Sequence, residues 1–354
     1  GAAGLRFTQA CIFLYSFGTL WSYATVFSSS LAAIVHPLAF GAPCDALASH
    51  PAESCSLAYY ASLCAFSAVV LALVVRNLSH QAFVQKFLSM YRLVALLVML
   101  LTLGGRLAFG GAAARAGRSV WSTHWSHFGK AFGPCFLATN CHFNIPDAVQ
   151  PLDRKSQARA VTFTALWLSI ALYVLLGTMG ALTFEPVSPL VSLDWAGYTG
   201  CGSGWDPCGV DGAGGRTVLG HAVRMLVLLF PAVNVASAYP LLGVTMGDNL
   251  SASVGGVRPS AARLLSACPP LLLAAVARKL DVIISAAGVI GFSLEITIPC
   301  MLYLASGRAF QERLGARPAR TPFSTGPWGG RHLARAVLLA SILTIVLAAV
   351  TIPA

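Results

Sequence analysis

Long apolar runs alternate along the whole chain with short polar segments or segments rich in Pro and Gly. Nine runs approach the roughly 20 apolar residues that a helix needs to cross a bilayer. The run from Ala160 to Phe184 contains no charged residue, whereas the fourth and seventh runs are the weakest. The pattern predicts an all-α polytopic membrane protein, with residues 1–354 as a single transmembrane domain. The predicted spans are 8–35, 56–76, 86–109, 128–146, 158–184, 216–246, 262–278, 282–306 and 333–353.

Composition supports a bilayer as the surrounding medium. The chain is 56% hydrophobic and only 10% charged, against roughly 25% charged residues in average soluble domains. The net charge of +11 would favour nucleic acid if the basic residues shared a soluble face. They lie between the apolar runs instead, so we expect an integral membrane protein of the plasma membrane or an endomembrane, with no nucleic-acid partner.

The basic residues also predict an orientation. With the N-terminus in the cytoplasm, 14 of the 23 Lys and Arg fall in cytoplasmic segments and 7 on the opposite side, while Arg92 and Arg224 lie inside spans. Because cytoplasmic segments carry an excess of Lys and Arg, we predict a cytoplasmic N-terminus and nine spans. The chain begins with Gly rather than Met, and we expect that residues preceding Gly1 are missing.

Four cysteines fall in two loops on the predicted non-cytoplasmic side. Cys44 and Cys55 share one loop, and Cys201 and Cys208 share another. Disulfides persist in oxidising compartments, so we predict pairing within each loop, with free thiols as the alternative. Two cysteines without a nearby His or further Cys make a poor zinc site, and we predict no metal.

Polar residues within the apolar runs are the candidate functional residues, because such groups are costly in a bilayer and mark pathways or sites. Each cluster has a structural alternative: ordinary helix packing, a helix that merely ends after Asn144, a proline kink, or a pair of Glu295 with Arg224 or Arg92. The candidates are Tyr23 in the first run, Thr139, Asn140, His142 and Asn144 in the fourth, Asn234 and Ser237 in the sixth, and Glu295 in the eighth.

Catalysis has no support in the sequence. Cys141 and His142 are adjacent, and neighbouring helical residues point about 100° apart, so they do not form a thiol–imidazole dyad. No nucleophile-elbow, metalloprotease, P-loop or dinucleotide-binding motif occurs in a usable context. We therefore predict that the protein is not an enzyme and has no organic cofactor.

The order of several stretches resembles the amino acid/auxin permease family, within the amino acid–polyamine–organocation superfamily. These stretches are FGTLWSYATVF, FGPCFLATNCHFNIPDAVQPL, FPAVNVASAYPLLGVTMGDNL, GVIGFSLEITIPCMLYL and TPFSTGPWGGRHLARAVLLASI. The resemblance implies a LeuT-like fold of eleven helices in two inverted repeats. The nine spans would be the family's helices three to eleven, so the first two helices, including the first broken one, are absent.

The resemblance implies an ion-coupled secondary transporter of amino acids that works by alternating access, driven by protons or sodium. Tyr23, Thr139, Asn140, His142 and Asn144 would bind the substrate, together with Asn234 and Ser237. His142 and Glu295 are the proton-coupling candidates, since His titrates near physiological pH. The alternative is a non-transporting membrane sensor or scaffold. The oligomeric state is not predicted.

Overall fold

A computed structural model describes residues 2–42, 44–48, 50–75, 82–110, 125, 128–140, 152–185, 187–188, 190–209, 215–254, 256–315 and 330–352. Within these ranges the chain is helical and has no β-strand. The helices are α1 (Ala2–Phe40), α2 (Glu53–Val75), α3 (Ala82–Phe109), α4 (Phe128–Thr139), α5 (Ala158–Thr183), α6 (Val218–Val254), α7 (Pro259–Val276), α8 (Leu280–Phe292), a π-helix (Ser293–Thr297), α9 (Ile298–Leu314) and α10 (Arg331–Thr351).

The helices confirm an all-α polytopic membrane protein. In the described part of the chain, eight helical segments are long and apolar enough to cross a membrane. They are Gly4–Phe40, Glu53–Val75, Phe87–Phe109, Lys155–Thr183, Val218–Val254, Pro259–Val276, Leu280–Glu312 and Arg331–Thr351.

The fourth predicted span, 128–146, differs from the other eight. The described helix there, α4, has 12 residues and is about 18 Å long at 1.5 Å per residue. A bilayer core is about 30 Å thick, so α4 by itself does not cross it. The predicted continuation through residues 141–146 lies outside the described residues.

Helix α5 shows how the chain meets lipid. Its side chains are exposed around most of its circumference, including Trp167, Leu168 and Val174, and its buried residues are Gly180 and Thr183. A helix that is apolar on all sides and largely exposed is stable in a bilayer and not in water.

The chain divides into two compact units. The first comprises Gly1–Thr19, His124–Thr162 and Asp281–Ala354, and the second comprises Leu20–Thr123 and Phe163–Leu280. Helix α1 contributes residues to both.

In the first unit, glycines bring helix backbones into contact. A Cβ on Gly288 of α8 would lie 1.8 Å from the Gly133 carbonyl oxygen of α4. Near the other end of α4, a Cβ on Gly129 would lie 2.3 Å from the Ala348 carbonyl oxygen of α10. Only glycine permits such close approach, so α4 is fixed against both α8 and α10.

In the second unit, aromatic side chains hold the carboxyl end of α7. The hydroxyls of Tyr59 and Tyr60 donate to the carbonyls of Ala274 and Ala275, and the Trp21 indole donates to the carbonyl of Ala277 at 3.0 Å. The last carbonyls of a helix lack full intrahelical bonding, and these side chains supply hydrogen bonds to them at the end of α7.

Candidate functional site

The predicted site residues divide between the two units. Thr139, Asn140 and Glu295 belong to the first unit, and Tyr23, Asn234 and Ser237 belong to the second. His142 and Asn144 lie outside the described residues, so their predicted roles stay predictions.

Asn140 lies at the carboxyl end of α4. Its backbone N–H closes the last turn by donating to the Phe136 carbonyl at 3.0 Å, while its residue surface is only 8% exposed. Neither the side-chain oxygen nor the side-chain nitrogen has a hydrogen-bond partner within the described part of the chain. An amide buried without a partner is unfavourable by about 1–3 kcal/mol or more, which makes Asn140 a strong candidate for binding a ligand.

Two neighbours define the space around the Asn140 amide. A Cβ on Gly291 of α8 would lie 2.7 Å from Asn140 Nδ2 and 2.9 Å from Cε2 of Tyr15. Any side chain at Gly291 would therefore displace the amide or the ring. The rings of Phe132, Phe136 and Phe292 meet tilted or edge to face, with centroids 4.5–5.0 Å apart, on the apolar side of the same crossing.

Thr139 is placed differently from its neighbour. Its hydroxyl donates to the Cys135 carbonyl one turn earlier in α4, at 3.0 Å. A hydroxyl that bonds to its own helix is a common packing arrangement, so the described contacts of Thr139 favour the structural alternative.

Glu295 lies in the π-helix Ser293–Thr297, one turn beyond Gly291. The wider turn is closed by the Ile298 N–H, which donates to the Ser293 carbonyl. Glu295 is half-buried, and its Oε2 has no partner among the described residues. Short π-helical turns within α-helices occur frequently at functional sites, and a carboxylate in such a turn is a candidate for exchanging a proton.

The second unit contains a separate polar cluster around Ser237. The Ser237 hydroxyl donates to the Asn234 carbonyl at 2.8 Å and accepts a hydrogen bond from Arg92 Nη2. Tyr23 and Tyr173 lie within electrostatic range of the Arg92 guanidinium. Three predicted site residues thus gather around an arginine of α3.

Sequence reasoning placed Arg92 inside a span and named it as an alternative structural partner of Glu295, but did not include it in a site. Its pairing with Ser237, 145 positions further along the chain, has no signature in the local sequence.

The segment between α5 and α6 forms a separate structure that we call the cap, comprising residues 184–185, 187–188, 190–209 and 215–217. Cys201 and Cys208 are joined by a disulfide in the cap, and a second disulfide joins Cys44, in the loop after α1, to Cys55 in the first turn of α2. Rings of Phe184, Trp195 and Trp205 meet edge to face, with centroids 5.3–5.6 Å apart. The cap is a small aromatic core outside the spans.

Carboxylates of the cap have local partners. Asp194 accepts hydrogen bonds from the Ser188 N–H and hydroxyl, yet burial dominates and raises the pKa of Asp194. Asp206 accepts bonds from the Ser203 N–H at 2.7 Å and from its hydroxyl, which lowers the pKa of Asp206. Across the described ranges, no three His, Cys, Asp or Glu side chains are grouped so as to hold a metal ion.

These features describe an integral membrane protein with polar groups buried among its helices. The chain is 22% identical to the transmembrane protein 104 homolog of Drosophila melanogaster in an alignment of 347 positions, gaps included, that covers 90% of this chain and 65% of that protein. It is 22% identical to human transmembrane protein 104 in an alignment of 355 positions, gaps included, that covers 92% of this chain and 66% of the human protein. The homolog from Caenorhabditis elegans is 23% identical over 255 residues.

The chain spans less than two thirds of the length of these relatives. No family model matches it. The assignment to the amino acid/auxin permease family is therefore wrong: the relatives are transmembrane protein 104 proteins of animals, and no permease model supports the resemblance. Unrelated membrane proteins also consist of apolar helices, because only helices and closed barrels satisfy their backbone in lipid, so apolar runs by themselves do not identify a family.

Proposed function

We propose that the chain forms part of a secondary transporter that moves a small polar solute, with neutral amino acids as the substrate class. The observation that carries this proposal is Asn140. A buried amide whose two groups lack partners among the described residues, at the end of a short helix, is suited to hydrogen-bond a solute. Many secondary transporters bind substrates at discontinuous membrane helices, where backbone and side-chain groups are free to bond, and Asn140 is the last described residue of its segment.

Glu295 is the proposed coupling residue in the described part of the chain. A carboxylate in a membrane span binds a proton more readily than one in water, because the charged form is poorly solvated there. Its place in a π-helix that begins two residues after Gly291, the residue that contacts the Asn140 amide, supports coupling of proton binding to solute binding. His142 remains a second candidate, and sodium the alternative ion.

We also propose that the N-terminus is cytoplasmic. Both disulfides, Cys44–Cys55 and Cys201–Cys208, lie in loops that this orientation places in an oxidising compartment, where disulfides persist. The excess of basic residues in the other set of loops supports the same orientation.

Uptake by the full-length protein in proteoliposomes tests the transport proposal. We expect uptake of radiolabelled neutral amino acids that depends on an imposed proton or sodium gradient. Asn140→Ala should lower uptake by about tenfold or more, since an unreplaced hydrogen-bonding group in a site costs on the order of 1.4 kcal/mol or more.

Thr139→Val is the matched control, because the Thr139 hydroxyl bonds only within its own helix among the described residues; we expect near-normal uptake. Uptake that is absent under both gradients, or equal in the wild type and Asn140→Ala, would refute the proposal. Solute binding without any flux would point to the sensor alternative.

A further inference from the structure

Arg92 is a charged residue in the first two turns of the membrane-spanning part of α3. It is the sixth residue of the apolar segment Phe87–Phe109, about 8 Å from the first residue of that segment at 1.5 Å per residue. The side chain is half-buried, and its Nε is shielded from water with no hydrogen-bond partner among the described residues. A guanidinium in this position is unfavourable unless an anion or several acceptors compensate it.

The described residues of the second unit offer Arg92 a hydroxyl and no carboxylate. Every described Asp and Glu of this unit lies outside a helix or within two turns of a helix end: Asp45, Glu53, Glu185, Asp194, Asp206 and Asp248. Asp248 already pairs with Arg263 at 2.8 Å. The neutral Ser237 hydroxyl orients the guanidinium without neutralising it.

The contacts of the cluster leave one donor of the Arg92 guanidinium, Nε, without a partner among the described residues. Arg92 uses Nη2 to reach Ser237, while the adjacent Nε, on the same edge of the guanidinium, is unused. The Tyr23 phenol lies within electrostatic range of this charge, and its hydroxyl makes no hydrogen bond to another described residue. Arginine binds carboxylates through two parallel N–H donors, and a phenol hydroxyl supplies a further donor.

We propose that Arg92 and Tyr23 form a carboxylate-binding site in the second unit, with Ser237 positioning the guanidinium. The ligand is a small solute with one carboxylate, whose charge replaces the missing acidic partner of Arg92. The site is independent of flux, since a transporter and a ligand sensor would each use it to recognise an anionic group.

Acetate and acetamide provide a probe pair of equal size that differs in charge. The full-length protein in detergent is heated at constant ionic strength with increasing acetate, acetamide or chloride, and the thermal unfolding midpoint is recorded. A ligand that binds the folded state raises the midpoint in a concentration-dependent way. We expect acetate to raise it and acetamide and chloride to leave it unchanged.

Three substitutions locate the effect. Arg92→Gln should abolish the response to acetate, and Arg92→Lys, which keeps the charge but not the planar fork, should raise the apparent dissociation constant about tenfold or more. Tyr23→Phe should raise it a few-fold with little loss of stability, since that hydroxyl has no partner to lose among the described residues. Arg224→Gln is the matched control, because Arg224 is also buried in a span, 6% exposed, and should leave the response intact.

The inference is overturned if the wild type does not respond to acetate, or if acetamide or chloride acts as well as acetate. It is also overturned if Arg92→Lys and Tyr23→Phe both keep wild-type acetate affinity. None of these outcomes depends on uptake, so the failure of this site and the failure of the transport proposal are separately observable.

Discussion

Polar side chains are hydrogen-bonded differently in the cap of the second unit and near the crossing of α4 with α8 in the first unit. In the cap, Asp194 and Asp206 each accept two hydrogen bonds from a nearby serine. At the crossing, Asn140 and Glu295 hold buried polar atoms that have no partner among the described residues. Both regions are well packed, so packing does not separate them.

The difference indicates what each region is for. Polar groups whose bonds are satisfied locally stabilise one conformation, whereas buried polar groups that lack partners cost stability and persist where a function needs them. The cap is therefore expected to respond to substitution mainly through stability, and the Asn140–Glu295 region mainly through activity. The predictions below separate these two kinds of response.

The largest expected effect is on the stability of the cap. Trp195 is fully buried, packs against Met99, Leu103 and Val227, and donates its indole N–H to Thr102 at 3.1 Å. Trp195→Ala should lower the free energy of unfolding by about 3–5 kcal/mol, as expected for a large aromatic residue removed from a core. Thermal or denaturant unfolding in detergent measures this change.

Trp167→Ala is its control, since Trp167 is 58% exposed on α5 and should have a small effect. Solute uptake per folded molecule should be retained in Trp195→Ala. Loss of uptake in a Trp195→Ala protein that remains folded would contradict the view that the cap acts on stability and the Asn140–Glu295 region on activity.

The next effect tests the close approach of backbones at the crossing. A Cβ at Gly288 would overlap the Gly133 carbonyl oxygen at 1.8 Å, so Gly288→Ala must separate α8 from α4. We expect a loss of about 1–3 kcal/mol or more, the usual range for overpacking. Gly177→Ala, with nothing within 4 Å of its added Cβ, should be neutral or stabilising in the same unfolding experiment. An equal loss of stability in both variants would contradict the close approach of the α4 and α8 backbones.

The sequence predicted the membrane helices well because their signal is local. Length and hydropathy indicate which segments can cross a bilayer, and eight of the runs identified in the sequence correspond to described helices that are long and apolar enough to do so. The fourth predicted span, 128–146, corresponds to α4 as far as Thr139, and its predicted continuation through residues 141–146 lies outside the described residues.

The candidate sites were only partly predictable because their decisive contacts are distant in sequence. Ser237 and Tyr23 were identified as polar residues in apolar runs, but the arginine that joins them follows from the packing of α3 on α6. Glu295 was identified by its charge, whereas its π-helical turn depends on one extra residue within a helix and leaves no compositional mark. The contact of Gly291 with Asn140 likewise exists only once α4 and α8 have packed.

A smaller effect in stability, but a specific one in activity, is expected at Glu295. Glu295→Gln keeps the size of the side chain and removes its ability to release a proton. We expect the ratio of uptake rates between the most and least favourable pH to fall by about tenfold or more in this variant. The free energy of unfolding should change by less than about 1 kcal/mol, since the Oε2 atom has no bond to lose among the described residues.

Uptake at a series of external pH values, with the proton gradient clamped, measures the change. Glu312→Gln, an exposed residue in the last turns of α9, is the control and should leave the profile unchanged. A Glu295→Gln profile identical to that of the wild type would remove Glu295 from the coupling mechanism.

The smallest expected effect is a pair of opposite pH dependences within the cap. Burial raises the pKa of Asp194, so its contribution to stability is fully present below the unfolded pKa of about 3.9 and is lost as pH rises through the folded value. Hydrogen bonds from Ser203 lower the pKa of Asp206, so its contribution is present above the unfolded pKa and is lost as pH falls through the folded value.

Unfolding midpoints of wild type, Asp194→Asn and Asp206→Asn, measured from about pH 3 to about pH 7, a range that includes the ordinary pKa of an Asp side chain, distinguish the two signs. As pH rises, the stability of the wild type relative to Asp194→Asn should fall, by less than about 1 kcal/mol because the group is partly screened by solvent. Over the same range the stability of the wild type relative to Asp206→Asn should rise. If both stability differences move in the same direction with pH, burial and local hydrogen bonds do not set the pKa values of Asp194 and Asp206. The contrast between a cap with paired carboxylates and the Asn140–Glu295 region would then be wrong.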